Sequence, residues 1–309
     1  MKFRPFPRSL CAVAAALTGL GLASLTLPAL SAATILAEDF TSDRLTSNLP
    51  TTSTWYTSGS TDNINYDTTN GGSITQTVSG TTGNLLTYFR DAGSPVSLVV
   101  GETLSVKFNF RLSGVVDANN IFRVGILNSR GSRVTADNMG SYNAIFSQYR
   151  GYAALFNPGD DNDQDGVPPA SIYQRSRNNS NLINSSSAFS SDPLATGGAA
   201  TVLSDDTSYT GIFSVTRTSD TAMSITFSIL NGSGTIQLFQ LSATDNSGNG
   251  YTDFDTFAIT GMGGTSSLNS FTLENVTISV SAVPEPRSAA LGMSIFICLA
   301  LLCYRFPRR

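Results

Sequence analysis

Between Glu102 and Ser113 apolar and polar side chains alternate without a break. Leu104, Val106, Phe108, Phe110 and Leu112 fall on one side, and Ser105, Lys107, Asn109 and Arg111 on the other. A helix would scatter these five apolar residues around its axis. Only an extended strand, whose successive side chains point to opposite faces, collects them in one row. The habit recurs at Phe122, Val124 and Ile126, at Met223, Ile225, Phe227 and Ile229 against Ser224, Thr226 and Ser228, and at Val276, Ile278 and Val280. Each run predicts a strand with one face in a core and the other in water. Turn-forming clusters lie between the runs: Asn70-Gly71-Gly72, Asn231-Gly232-Ser233-Gly234, Asp245-Asn246-Ser247-Gly248 and Gly261-Met262-Gly263-Gly264. Residues 222–231, the glycine-rich turn and residues 235–242 read as a hairpin. From 34 to 282 no long window has a helical period. So many half-apolar strands must cover one another, which predicts an all-β fold of two packed antiparallel sheets. The polar tract 157–200 interrupts the pattern. Only Ser171–Arg175 within it reads as a strand, and the remainder is expected as long surface loops.

Composition narrows the chemistry. The sequence has no histidine, so it can form neither a Ser-His-Asp triad nor a His-ligated zinc site. Its three cysteines, Cys11, Cys298 and Cys303, all lie near the ends. The middle of the chain therefore folds without disulfides, and roughly 250 residues suffice for a core without them. Charge divides the same way. Residues 34–283 carry 11 basic and 21 acidic side chains, a formal charge of -10. A nucleic-acid partner, which needs a basic footprint, is excluded on this ground.

The two ends read as addresses rather than fold. Lys2, Arg4 and Arg8 precede an uncharged apolar run from Ser9 to Leu27, broken by Pro28, with small residues at Ser31 and Ala33. This is the layout of a signal peptide over 1–33, handled by the Sec translocon and signal peptidase; an N-terminal membrane anchor is the alternative. At the other end Pro284-Glu285-Pro286 is followed by an apolar run from Ala289 to Tyr304 and then Arg305-Phe306-Pro307-Arg308-Arg309. Residues 283–309 thereby resemble the PEP-CTERM sorting signal in all three of its parts. The run is short for a transmembrane helix, where about 20 apolar residues are typical, and the terminal arginines favour the cytoplasmic side. The resemblance implies recognition of Pro284, Glu285 and Pro286 by an exosortase. An inner-membrane precursor would then be processed to the cell surface or extracellular matrix. An ordinary C-terminal anchor is the alternative.

The middle, 34–282, also carries a resemblance. Glu38-Asp39-Phe40, the run from Ile121 to Leu127, the run from Phe146 to Tyr152 and the run from Phe271 to Ile278 are similar to stretches of PEP-CTERM surface proteins with a concanavalin A-like, laminin-G-like jelly roll. The resemblance implies a jelly-roll sandwich flanked by the signal helix and the C-terminal helix.

Several local patterns bear on chemistry. Asp161, Asp163 and Asp165 before Gly166 fit a D-x-D-x-D-G calcium loop, because alternate carboxylates can converge on one hard cation. The twelfth position, where an EF-hand needs glutamate, is Ile172, and Pro168-Pro169 occupies the centre. A looser calcium site and a solvated acidic loop both stay open. Glycoside hydrolysis needs two placed carboxylates. The middle has only Glu38, Glu102 and Glu274, far apart, and no Glu-x-Asp-x-x-Glu motif. Asp253 and Asp255 alternate and could share a strand face, with surface placement the plainer reason. No catalytic residue is assigned. Carbohydrate could stack on Trp55, Tyr56, Tyr142, Tyr149, Tyr152 or Tyr173, although a lone Trp in a sandwich suits the core and Tyr149 with Tyr152 suits cross-strand packing. The reading is a non-catalytic exported protein in contact with extracellular polysaccharide. A purely structural matrix component is the alternative, and a secreted glycoside hydrolase comes third.

Overall fold

A computed structural model describes residues 32–41, 49–50, 53–69, 71–78, 83–115, 121–140, 143–159, 168–176, 178–248, 250–262 and 268–282. Both end segments therefore lie outside the described residues, as do Pro284, Glu285, Pro286, the Asp161, Asp163 and Asp165 loop, and Tyr142. Among the described residues seventeen strands follow one another: β1 (Ala33–Glu38), β2 (Tyr56–Thr57), β3 (Ile64–Asp67), β4 (Ser73–Thr77), β5 (Leu85–Tyr88), β6 (Val96–Ser97), β7 (Glu102–Ser113), β8 (Ile121–Asn128), β9 (Arg150–Phe156), β10 (Ala170–Arg175), β11 (Ala195–Gly197), β12 (Tyr209–Arg217), β13 (Met223–Asn231), β14 (Gln237–Asp245), β15 (Asp253–Phe254), β16 (Thr256–Met262) and β17 (Ser270–Ala282).

They form a two-sheet antiparallel jelly-roll sandwich, as the alternation predicts. The first sheet has the order β14-β13-β12-β7-β17-β4-β3, with β1 beside β17 as an eighth strand. The second has the order β11-β10-β9-β8-β16-β5-β2, and β15 pairs with β6 separately. β7 lies at the middle of the first sheet between β12 and β17. Leu104, Val106, Phe108, Phe110 and Leu112 are fully buried on its inner face. Burying each such side chain contributes about 1.5–3 kcal/mol. Phe122 of β8 stacks on Phe110 with centroids 5.1 Å apart and meets Phe271 of β17 edge-on at 6.0 Å, so these rings join the two sheets. The hairpin forms as β13 and β14. The Asn231 side chain fastens its turn by accepting from the amides of Thr235 at 2.9 Å and Ile236 at 3.0 Å.

The second sheet departs from the expectation of one wet face. Its outer side carries a second apolar cluster: Tyr56, Leu86, Tyr88, Leu127, Ala153 and Ala258 from the strands, covered by Val134, Phe146, Tyr149, Leu182, Ile183 and Phe189. The polar tract is thus not all surface loop. β10 forms where a strand was expected, but Leu182, Ile183, Ala188 and Phe189 beyond it are buried. Each apolar residue there is too isolated to show a period, yet together they roof the sheet.

Arg175 pins this roof. Fully buried at the end of β10, it donates to the carbonyls of Leu182, Tyr149, Phe146, Asn179 and Asn181. Gly151 makes room beneath, since a Cβ there, at φ 146°, would stand 2.3 Å from the Ile126 carbonyl oxygen. A second bolt is Asp255. It accepts from the Ser129 amide at 2.8 Å, the Ser129 hydroxyl at 2.6 Å and Arg133 Nη2 at 2.9 Å. The Arg133 guanidinium lies 4.5 Å over the Tyr88 ring, and the Tyr88 and Tyr149 hydroxyls share a 2.6 Å hydrogen bond. Burial pushes both phenols up, with that shared bond lowering Tyr88 and raising Tyr149.

Candidate functional site

On the outer face of β8 the side chains that alternate with Phe122, Val124 and Ile126 are Arg123, Gly125 and Leu127. Strand pairing aligns the first of them in a row across the sheet. Thr260 of β16 faces Arg123, Arg123 faces Leu155 of β9, Leu155 faces Ser171 of β10, and Ser171 faces Thr196 of β11. The roof covers the neighbouring row, Gly125, Ala153 and Tyr173, with Ile183 and Phe189. It stops short of the Leu155–Ser171–Thr196 row. A cleft of about 430 Å³ remains there, lined by Arg123, Leu155, Phe156, Asn157, Pro168, Ser171, Tyr173, Ser186 and Thr196. That volume lies within the range of about 300–1,000 Å³ usual for small-molecule sites.

The cleft is amphipathic. Tyr173, half-buried, lines the cleft and stacks on Phe189 with centroids 5.2 Å apart and planes at 22°, which fixes its ring. Leu155 and Pro168 add apolar surface, while the Phe156 ring points to the other side of the sheet, against Phe227 and Phe239. Asn157, Ser171, Ser186 and Thr196 add amide and hydroxyl groups, and no described lining residue is acidic. Arg123 is only 4% exposed. It donates from Nη1 to the Ile183 carbonyl at 2.8 Å, and its guanidinium lies 5.8 Å from the Phe189 ring centroid. Burial lowers it to about 10, with Tyr173 opposing.

The other depressions differ in kind. One on the outer face of the first sheet, about 230 Å³, is lined by Asn65, Asp67, Thr75, Arg111 and Thr272 among others, and adjoins another reaching Glu274. Its walls are polar, and Arg111 is already held by Glu274 at 2.9 Å. A third, about 380 Å³, has Arg130, Arg150, Tyr251 and Asp253 in its lining.

Of the aromatic candidates from the sequence, Tyr173 alone lines the Arg123 cleft among the described residues. Trp55 is fully buried between Phe40 and Phe257. Tyr56 lies against Tyr88 under the roof. Tyr149 and Tyr152 are not cross-strand partners. They sit in different clusters, Tyr149 beneath the roof and Tyr152 between the sheets with its hydroxyl on Asp245 at 2.8 Å. Asp253 and Asp255 do not share a strand face either. Asp253 bonds Ser97 in the small sheet, whereas Asp255 occupies the bend before β16 and is buried. Glu38 accepts from the Phe40 amide, Glu102 from the Val99 amide, and Glu274 pairs with Arg111. Among the described residues no cluster of three or more Asp, Glu or Cys is placed to hold a metal ion, and no helix is long and apolar enough to cross a membrane.

No family model and no curated protein sequence matches this chain. Solved structures do resemble it. The carbohydrate recognition domain of Emp46p in its metal-free form is 10% identical, with a TM-score of 0.46, over 79% of this chain and 94% of that one. A seed lectin of Lotus tetragonolobus is 8% identical, with a TM-score of 0.44, over 81% and 99%. A carbohydrate esterase from the Shiga toxin-encoding bacteriophage phi24B is 11% identical, with a TM-score of 0.44, over 82% and 100%. The fold assignment stands on the strand pairing itself.

The sequence missed Arg123. Its signal was the pair Gly125 and Leu127 on what should have been the wet face of β8. Apolar residues on both faces mean that something covers the strand, and a charged residue in such a run needs a reason.

Proposed function

We propose that this chain is an exported, non-catalytic protein that binds polysaccharide through the cleft bounded by Arg123 and Tyr173. One observation carries the reading: a tyrosine ring stacked on Phe189, with apolar neighbours, shares a cavity of sugar-binding size with amide and hydroxyl groups. Pyranose rings present the same division, with C–H faces that stack on aromatics and hydroxyl edges that take hydrogen bonds. The non-catalytic reading is supported by Glu38, Glu102, Glu274, Asp245, Asp253 and Asp255, each of which is engaged by a structural partner. The Sec route and exosortase processing at Pro284, Glu285 and Pro286 complete the proposal, and the destination is the cell surface or matrix.

Affinity electrophoresis of the full chain in detergent, through gels containing neutral or acidic polysaccharides, tests the binding. Retardation by at least one polymer, relieved in Tyr173→Ala, is expected. Unchanged mobility in every gel overturns the proposal. Mass spectrometry of the exported protein tests the sorting arm, with a C-terminus ending near Pro286 expected.

A further inference from the structure

Among the described residues Arg123 stands apart from the other arginines that pack against the roofed sheet. Arg175 satisfies five backbone carbonyls. Arg133, whose Nε and Nη1 are also sealed without partners, has a carboxylate at 2.9 Å. Arg123 is buried like Arg175, yet it makes one hydrogen bond, its Nε is sealed from solvent without a partner, and no carboxylate of the described residues pairs with it. A buried cation without a counter-charge is costly, because desolvation of the charge goes uncompensated. Retaining it in an apolar-walled cleft makes sense when the counter-charge arrives with a ligand.

We infer that the ligand carries a carboxylate, and that the cleft takes a hexuronic acid residue of an acidic polysaccharide, its carboxylate on Arg123 and its ring against Tyr173. The inference rests on the polysaccharide reading and names its sugar class. A guanidinium offers a planar fork of donors that matches a carboxylate's two oxygens. A hexuronate places that carboxylate at the edge of a ring whose C–H face is apolar, which suits Arg123 beside Tyr173, Leu155 and Pro168. Its hydroxyls then meet Asn157, Ser171 and Thr196. A bare phosphate would leave the apolar walls unused, and a neutral sugar would leave the cation unpaired. The formal charge of -10 over residues 34–283 opposes any polyanion at long range. At about 0.15 M salt that field is screened beyond about 8 Å, and the described lining holds no carboxylate to oppose the short-range attraction of Arg123.

The test is calorimetric titration of the full chain in detergent, at about 0.15 M salt, with oligosaccharides of galacturonate, glucuronate and mannuronate. Each is compared with its own carboxyl-reduced, neutral form. At least one acid should bind about tenfold or more tighter than its reduced form, the value of a charge-assisted hydrogen bond. Arg123→Gln should bind acid and reduced forms alike, while Arg123→Lys, which keeps the charge without the fork, should fall between. If wild type binds reduced forms as well as acids, the carboxylate inference fails and the polysaccharide reading stands. Binding of a sulfated oligosaccharide as tight as that of the best uronate also overturns it. If no oligosaccharide binds, both fall. Should Arg123→Gln fail to fold, the acid-to-reduced ratio of wild type and the Arg123→Lys value decide.

Discussion

Arg175→Met should loosen the roof over the second sheet without dismantling the sandwich. Methionine fills much of the arginine's volume and has no donor, so the substitution isolates the hydrogen bonds. Exchanging a buried ionic group for an apolar one is often neutral when its partners are exchanged as well. Here they cannot be, because they are the main-chain carbonyls of Phe146, Tyr149, Asn179, Asn181 and Leu182, at 2.5–3.2 Å. Each acceptor left buried and unmade costs about 1–3 kcal/mol. Some will reach water after relaxation, and relief of the guanidinium's desolvation, which lowers it to about 10, offsets part of the loss. A net cost of about 4–8 kcal/mol follows. In a domain of this size 1 kcal/mol corresponds to about 2–4 °C, so Tm should fall by at least about 8 °C if the fold melts as one unit. Hydrogen exchange locates the damage: amides in 143–149 and 178–190 should lose protection, while those pairing β7 with β12 and β17 keep it. Arg175→Lys should be intermediate. A Tm within about 2 °C of wild type, with exchange unchanged across the roof, would show that Arg175 is a passenger.

Asp255→Asn should strand Arg133 without its counter-charge, at a cost of about 3–5 kcal/mol. The urea midpoint should drop with an unchanged slope, and a midpoint equal to wild type refutes the bolt. Asp245 gives a pH signature. Burial works against its ionisation, but hydrogen bonds from Ser247, Tyr152 and Gln174 prevail and hold its carboxyl below the ordinary value. A group depressed in the folded state stabilises fully above its unfolded pKa, about 3.9, and loses that contribution as pH falls through the folded value. The wild-type urea midpoint should therefore fall more steeply below about pH 4 than that of Asp245→Asn; parallel profiles would refute the assignment.

The first sheet was legible because its outer face is wet. Ser105, Lys107, Asn109 and Arg111 mark the solvent side of β7, and a period of two is then visible. The second sheet was legible only on its inner face. Ala153, Gly125 and Ala258 are small because Ile183 and its neighbours press on them, and smallness carries no period. The roof itself is built from single apolar residues among Asn and Ser, held by an arginine whose five acceptors are main-chain atoms and so invisible to any side-chain pattern. The cleft exists where that roof ends. Its position depends on cross-strand registers of four strands, Arg123 to Leu155 to Ser171 to Thr196, that span 73 positions of sequence. Tyr173 could be named in advance only as one aromatic among six, because stacking on Phe189 rather than any local motif sets it at the wall.

The two ends of the described fold bear on how such a cleft would be presented. Ala33 pairs with Val280, and Val280 with Leu104 on its other side, so the chain enters and leaves the first sheet at one corner. Arg123 lies at the other end. Its neighbour Phe122 packs on Phe110 and Phe271, and Phe271 pairs with Leu112. From Phe271 to Val280 the strand runs on the order of 30 Å at about 3.3 Å per residue. A protein held through its C-terminal segment would then turn the cleft away from its attachment point. Coupling chemistry makes this measurable, because replacing Cys11, Cys298 and Cys303 with serine leaves a chain without thiols. Immobilised through a cysteine added at the C-terminus, that chain should bind the retarding polysaccharide at full capacity. Immobilised instead through Thr196→Cys, at the exposed rim of the cleft, it should lose most of that capacity. Equal capacity from both attachments would place the binding surface somewhere other than the outer face of β8 to β11.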